Sequence, residues 1–459
     1  MTELSRPINE LTALEIREHL VSRQESVEAL SARLAKFAAG ADEPIRAFAH
    51  LDPRVIALQS EHLQKQRTAG ELPGPLYGVP VGVKDIIDTI EYPTEYGSPI
   101  HAGRYAVADA TVVARLRAAG AVVFGKTVTT EFATFQPGVT RNPHNLAHSP
   151  GGSSSGSAAA VAAGMVPVAI GSQTNGSVIR PASYCGVYGF KPSRGLLPRT
   201  GVLEQSPSLD QLGVFARNVE DLALITEVMS GDDGHDVGSA RQFPRRLHEV
   251  AMSEPPLPPR FCFVQTPWWE QVEPEAREAY DAFIEHLGAV VDRMVLPEIV
   301  TRTVEWHARV NNVELAFCLQ KEWNNSRERI SAPLRERVAE GMAIGVMDYL
   351  TARDRIPHVT HAFDEYFASY DAILCPAALG TAPRGMAFTG NPLMQTVWSF
   401  AGLPSVNLPL LHLSNGLPLG VQAVGAFGND GRLLRSVRWL VSEFLRRNAA
   451  GRAFNVSPA

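Results

Sequence analysis

The sequence predicts an α/β protein, and three observations carry that class. Thr111 to Ala119 places apolar residues at helical spacing, and Ala121-Val122-Val123-Phe124 follows at once as a short buried strand. The order then repeats, since the alanine-rich Ser157 to Gly164 is a good helix former and Val166 to Ile170 reads as another strand. Composition supplies the third: 459 residues, 45% hydrophobic and 20% charged, are enough to bury a large core.

At the N-terminus, Leu14, Ile16, Leu20 and Val21, then Val27, Leu30, Leu34 and Phe37, predict an amphipathic helical layer over about Ala13 to Phe37. Leu76-Tyr77-Gly78-Val79-Pro80-Val81-Gly82-Val83-Lys84 reads as a short apolar strand broken by turn-forming residues, with Lys84 at its end. Gly120 is a stop for the helix before it. Pro255-Pro256-Leu257-Pro258-Pro259 reads as a surface connector into a strand over Phe261 to Val264. Pro274 to Leu287 and Arg302 to Arg327 carry helical patterns, and no internal repeat stands out. The expected organisation is one domain over 1–459: a helical layer to about 70, a catalytic core over 71–250, and a second half over 260–459 that completes the sheet and pocket.

Several classes are argued against. The longest apolar run, Ala158 to Ile170, is broken by Gly164 and Pro167 and falls short of the roughly 20 residues that span a bilayer, so no membrane span is expected. Met1-Thr2-Glu3-Leu4-Ser5-Arg6-Pro7 has no apolar h-region, which makes the cytoplasm the expected compartment. Cys185, Cys262, Cys318 and Cys375 are far apart and read as buried thiols in a reducing compartment. A net charge of -6, with no basic cluster longer than Arg446-Arg447, argues weakly against a nucleic-acid partner. No His/Cys/Asp/Glu set stands at ligand spacing, so neither metal nor cofactor is expected.

The chemistry gathers in two small-residue loops, Gly151-Gly152-Ser153-Ser154-Ser155-Gly156-Ser157 and Gly171-Ser172-Gln173-Thr174-Asn175-Gly176-Ser177-Val178-Ile179-Arg180-Pro181-Ala182. Serine is a poor nucleophile unless a base and an anion-stabilising pocket stand beside it. Lys84, upstream, is the candidate base. Two pattern matches compete. Gly120-Ala121-Val122-Val123-Phe124-Gly125-Lys126-Thr127 spells a phosphate loop, but its middle residues are the strand itself, and a ladder-paired backbone cannot wrap a phosphate. The expected reading there is a strand ending in a turn. Gly152-Ser153-Ser154-Ser155-Gly156 spells a nucleophile elbow, which would make Ser154 the nucleophile of a Ser-His-Asp α/β-hydrolase drawing on His307, His358, His361 or His412. That reading leaves Lys84 and the second loop unexplained.

These segments, with Gly78 to Asp85, Gly125-Lys126-Thr127, Glu131-Phe132-Ala133, Arg141-Asn142-Pro143, Gly186 to Ser193, Asp371 to Pro376, Gly402-Leu403-Pro404-Ser405 and Gly416 to Gln422, resemble the amidase signature enzymes. The likeness runs from about residue 10 to residue 440. It implies a single α/β/α domain with a large mixed central sheet flanked by helices, and a Ser-cisSer-Lys triad in which Ser177 is the nucleophile, Ser153 the bridging serine and Lys84 the base. A lysine with a reference pKa of about 10.4 must lose its proton near pH 7, a gap worth roughly 4.6 kcal/mol, and burial can supply that. Asp85 would oppose it if its carboxylate points inward. Backbone N–H groups of Thr174, Asn175, Gly176 and Ser177 would form the oxyanion hole, with Ser154, Gln173 and Arg180 in support.

Three positions depart from the commoner family pattern: Gln173 where an acid is usual, Asn175 where the first glycine is usual, and Arg180 one position late. An acid–arginine pair supporting the loop would then give way to amide hydrogen bonds. Thr130 to Val139, Trp306 to Trp323 and Met386 to Trp398 are the pocket segments, and Phe132, Phe135, Phe317 and Phe388 suggest a mostly apolar site for small uncharged aliphatic or aryl amides, carbamates or esters. The expected partners are that small molecule and water, with no nucleic acid and no membrane, and a homodimer stays open. The alternatives are the amidase subunit of a tRNA-dependent amidotransferase and a catalytically silent scaffold.

Overall fold

A computed structural model describes residues 6–239 and 246–449. Most of the N-terminal stretch read for a signal, residues 1–5, therefore lies outside the described residues. Its strands are β1 (Phe48–His50), β2 (Pro80–Lys84), β3 (Val122–Thr127), β4 (Val168–Gln173), β5 (Tyr188–Lys191), β6 (Gln211–Ala216), β7 (Phe261–Gln265), β8 (Val291–Val295), β9 (Ala372–Pro376), β10 (Ser405–His412) and β11 (Pro418–Val424). They form one 11-stranded sheet in the order β1-β3-β2-β4-β6-β5-β10-β11-β9-β7-β8. The triplets β3-β2-β4 and β9-β7-β8 are parallel, and the remaining pairs are antiparallel.

Side chains of successive strand residues point to opposite faces, and both faces here are apolar. Val123, Val168, Ile170 and Val214 enter one core cluster, while Val122, Phe124, Ala169 and Phe215 enter a second, which also holds Ile16, Leu20, Leu30 and Leu34 of the N-terminal helices. A third cluster joins Cys262, Val264, Ile373 and Cys375 of the far strands to Trp306, Val310, Trp398 and Phe400. All four cysteines are free thiols, and Cys318 is the half-exposed one. Among the described residues, no helix is long and apolar enough to cross a membrane.

Four expected elements come out differently. The N-terminal layer is two helices, Ala13–Val21 and Val27–Ile45, because each start has its own cap: Thr12 and Glu15 form a reciprocal capping box, and Ser26 accepts the Ala29 N–H. Leu76 to Val79 is a turn, closed by Val79 N–H donating to Leu76 carbonyl oxygen (2.9 Å), and the strand starts at Pro80. Gly125-Lys126-Thr127 continues β3 and is not a turn, since Thr127 lies opposite both Phe48 and Lys84. Glycine is needed there: a Cβ at 125 would lie 2.5 Å from the carbonyl oxygen of His50. The helical stretch over 302–327 is two helices, Thr303–Cys318 and Gln320–Ser326. Pro274–Leu287 forms as expected, with proline in its first turn and Gly288 at φ 59 after its end.

Candidate active site

β2 and β4 run parallel with Val83 opposite Ile170, so their carboxyl ends lie side by side, where α/β sheets place ligands. Just beyond that register come Lys84 on β2 and, after Gly171, Ser172 on β4. Lys84 Nζ donates to Ser172 Oγ at 2.8 Å and to Ser153 Oγ at 2.7 Å. Ser153 comes from the loop before the helix Ser155–Ala162, and its peptide bond to Gly152 is cis. Thr130 N–H donates to the Ser153 carbonyl oxygen (3.2 Å) and Arg180 Nη2 to that of Gly152 (2.7 Å), which holds the loop from two sides.

Lys84 is fully buried, and loss of water pushes its pKa well below the ordinary lysine value, with the nearby Asp210 carboxylate opposing. Asp85 takes no part in that balance. Its carboxylate receives the Glu95 N–H and pairs with Lys126 Nζ at 3.2 Å. The buried environment therefore favours a neutral amine, the form able to accept a proton.

The second loop leaves β4 at Gln173 and enters the helix Ile179–Cys185. Gln173 is buried, and its Oε1 accepts the N–H groups of Val178 (2.8 Å) and Ile179 (3.0 Å) while its Nε2 donates to Ser399 Oγ (2.9 Å). Three carbonyls of the loop are held as well. His307 Nε2 meets Thr174 O at 3.0 Å, Ser399 Oγ donates to Asn175 O, and Arg180 N–H donates to Gly176 O at 3.1 Å. In a trans peptide the next N–H points opposite to the carbonyl, so the N–H groups of Asn175, Gly176 and Ser177 are turned the other way. None of the N–H groups of Thr174, Asn175, Gly176 and Ser177 has a hydrogen-bond partner among the described residues.

All four of those residues line a cavity of about 540 Å³, a size that suits a small ligand. Phe135, Phe388, Leu315 and Leu393 supply apolar wall, beside His307, Asn311, Arg180 and Arg337. Burial lowers the His307 pKa to about 4, so its ring is neutral near pH 7 and, with Nε2 spent on Thr174, is placed to hold the loop.

Of the residues singled out in the sequence, Lys84 and Ser153 are brought into direct contact, and Ser177 stands half-buried at the cavity wall. Among the described residues no hydrogen bond joins Ser153 Oγ to Ser177 Oγ. Ser154 turns to β4, where its hydroxyl donates to Ser172 O (3.1 Å) and accepts the Ser172 N–H (3.2 Å), and no histidine meets it. His358 and His361 are exposed and bonded to their own helix. Phe132 is fully buried against Tyr96 and His101, and Phe317 is 74% exposed, so neither belongs to the cavity. Ser172, Asp210, His307 and Ser399 were not singled out for these contacts. Of these only Ser399 carried a local signal, as a polar residue between Trp398 and Phe400.

A family model described as Amidase matches residues 25–434. One subunit of the glutamyl-tRNA(Gln) amidotransferase of a Picosynechococcus species is 32% identical, over 92% of this chain and 95% of its own length. Among solved structures, a chain of a vestigial protein complex bearing on the origins of an s-triazine catabolic enzyme superposes with a TM-score of 0.87 at 29% identity, covering 94% of this chain and 98% of that one. Native peptide amidase from Stenotrophomonas maltophilia superposes with a TM-score of 0.83 at 27% identity, covering 95% and 97%.

Proposed function

The chain belongs to the amidase signature family, and from that premise we propose that it hydrolyses the C–N bond of small linear amides through an acyl-enzyme on Ser177. The observation that carries this reading is the 2.7 Å contact between Lys84 Nζ and Ser153 Oγ in a fully buried setting, beside a loop in which the N–H groups of Asn175, Gly176 and Ser177 have no partner among the described residues.

The cycle starts with Lys84 as a neutral amine with one N–H on Ser172; loss of its proton reverses the hydrogen bond to Ser153, so that the Nζ lone pair faces the Ser153 hydroxyl. Ser153 gives its proton to Lys84 as it takes the proton of Ser177, and Ser177 Oγ attacks the amide carbon. The Ser153–Ser177 hydrogen bond forms with substrate bound, as catalytic hydrogen bonds commonly tighten only in that complex. The oxyanion is met by the free N–H groups of Asn175, Gly176 and Ser177, already oriented by His307, Ser399 and Arg180. Collapse breaks the C–N bond, Ser153 protonates the leaving nitrogen, and Lys84 returns its proton to Ser153. Water then repeats the relay on the ester, releasing the acid and restoring Ser177.

Ser177→Ala tests the reading. It should abolish turnover of every amide while the melting temperature stays within a few degrees of wild type, and retained turnover refutes the nucleophile. A second reading, the amidase subunit of a tRNA-dependent amidotransferase, draws on the Picosynechococcus relative. The net-charge argument against nucleic acid does not reach that case, since a partner chain can hold the RNA. Ammonia release from glutamine that requires added partner subunits and tRNA would favour it, and turnover by the isolated chain would favour the first.

A further inference from the structure

Building on the amidase reading, we propose that the side-chain amide of Asn175 is a further donor of the oxyanion pocket, its Nδ2 meeting the same oxygen as the backbone N–H groups of the loop. Asn175 is half-buried, lines the cavity beside Ser177, and stands where the commoner family pattern has glycine. Glycine is favoured where φ is positive or where a side chain would have no room. Neither holds at 175, since φ there is not positive and the side chain is seated against Thr396. What distinguishes this chain at that position is the amide itself.

The two ends of that amide face different ways. Thr396, on the helix Leu393–Ala401, donates its hydroxyl to Asn175 Oδ1 at 2.9 Å, closer than the Pro392 carbonyl oxygen at 3.2 Å. Oδ1 is thus spent on the protein. Among the described residues nothing accepts from Nδ2, and it is not one of the occluded polar atoms, so it keeps access to the cavity. Ser399 Oγ, on the same helix, holds the Asn175 carbonyl. Backbone and side chain of Asn175 are therefore fixed to one element before substrate arrives, as stabilisation of a developing charge requires.

The neighbours leave Nδ2 little else to meet. A Cβ built on Gly176 would lie 2.8 Å from Gln395 Oε1 and 3.0 Å from both Arg180 Nη1 and Pro392 Cβ, so the next position has no room for a donor of its own. Neither aspartate nor glutamate is among the described lining residues, so no carboxylate in the cavity wall competes for Nδ2. A neutral donor beside the nucleophile is best matched by the oxygen that gains charge as Ser177 attacks.

Bracing of the loop and a role in catalysis separate on Asn175→Asp, which keeps an acceptor for Thr396 but puts an anionic oxygen where Nδ2 stood. With benzamide as substrate, kcat should fall at least about a thousandfold in Asn175→Asp and about a hundredfold in Asn175→Ala, with KM within about threefold of wild type. Trifluoroacetophenone, whose carbonyl takes up the nucleophile as a tetrahedral adduct, should lose affinity in each variant by the factor lost in kcat/KM. Calorimetry reads that affinity whatever fraction of the sample is folded. Thr396→Val releases Oδ1 and should weaken both kcat and ketone binding about tenfold. Turnover by Asn175→Asp within about threefold of wild type, or a fall in kcat while the ketone binds as tightly as to wild type, overturns the proposal. Should the Asn175 variants fail to fold, unchanged ketone affinity in Thr396→Val is the contrary result. Wild type that cleaves neither amide nor ester and does not bind the ketone overturns the hydrolase reading and this one with it. Turnover that Ser177→Ala abolishes and Asn175→Asp leaves intact overturns this one alone.

Discussion

Gln173→Ala is the sharpest perturbation of the nucleophile loop. The side chain is 1% exposed and makes three hydrogen bonds, to the Val178 and Ile179 N–H groups and to Ser399 Oγ. Truncation strands two buried backbone donors at about 1–3 kcal/mol each and removes the donor that orients Ser399, so about 3–5 kcal/mol of stability should be lost. Ser399 in turn holds the Asn175 carbonyl, and with it the direction of the Gly176 N–H. Mis-setting one oxyanion donor costs about a hundredfold in rate, so kcat should fall by about that factor while KM moves less. Gln173→Glu keeps an acceptor for both N–H groups but offers Ser399 no donor, and should fall between wild type and alanine. Urea unfolding and kcat/KM on an amide substrate supply both readouts. A destabilisation under about 1 kcal/mol, with kcat within threefold of wild type, would refute the loop's support as described. Ser399→Ala combined with Gln173→Ala should cost less than the two singles summed, because they share one chain of bonds.

Other outcomes follow from the same geometry. Activity needs Lys84 without its proton, so kcat/KM should rise with pH through the Lys84 pKa and then level off. Burial holds that pKa well below the ordinary value and the Asp210 charge opposes, so Asp210→Asn should move the acid limb to lower pH; movement to higher pH contradicts the assignment. Ser172→Ala removes one hydrogen-bond partner of Lys84 and should lower kcat about tenfold without abolishing it, checked by steady-state kinetics. His307→Ala frees the Thr174 carbonyl and should slow turnover by about ten- to a hundredfold. Complete loss, with a pH profile that lacks the Lys84 limb, would instead speak for a histidine base.

Two small-residue loops drew attention to Ser153 and Ser177 in the sequence, whereas the pairing of Ser153 with Lys84, at the end of β2, was expected only through the family resemblance. Where local signals compete with tertiary pairing, the sequence misleads. Gly125-Lys126-Thr127 has turn composition, yet β1 and β2 recruit it into the sheet, and glycine is required there because His50 O comes so close. The break between Val21 and Val27 is marked by the polar run Ser22-Arg23-Gln24-Glu25-Ser26, and Thr12, Glu15 and Ser26 carry the capping chemistry, so the two helices were readable and were merged only because the apolar spacing resumes at Val27. Pro274–Leu287 was readable because proline and glycine mark both ends. The partners that orient the site were not readable. Ser399 is 226 positions from Gln173 and His307 is 133 from Thr174, and no local pattern reports contacts made across the chain. Phe132 and Phe317 misled for the matching reason, since an aromatic in a pocket segment looks the same whether it faces core, cavity or solvent.

The most direct test of the serine relay is to trap the acyl-enzyme. Wild type quenched during turnover of a slowly hydrolysed aryl ester should gain the mass of one acyl group, and peptide mapping should place it on Ser177; Ser177→Ala should gain none. An adduct on Ser154, or steady turnover of the same ester with no acyl group on any serine, would contradict the account.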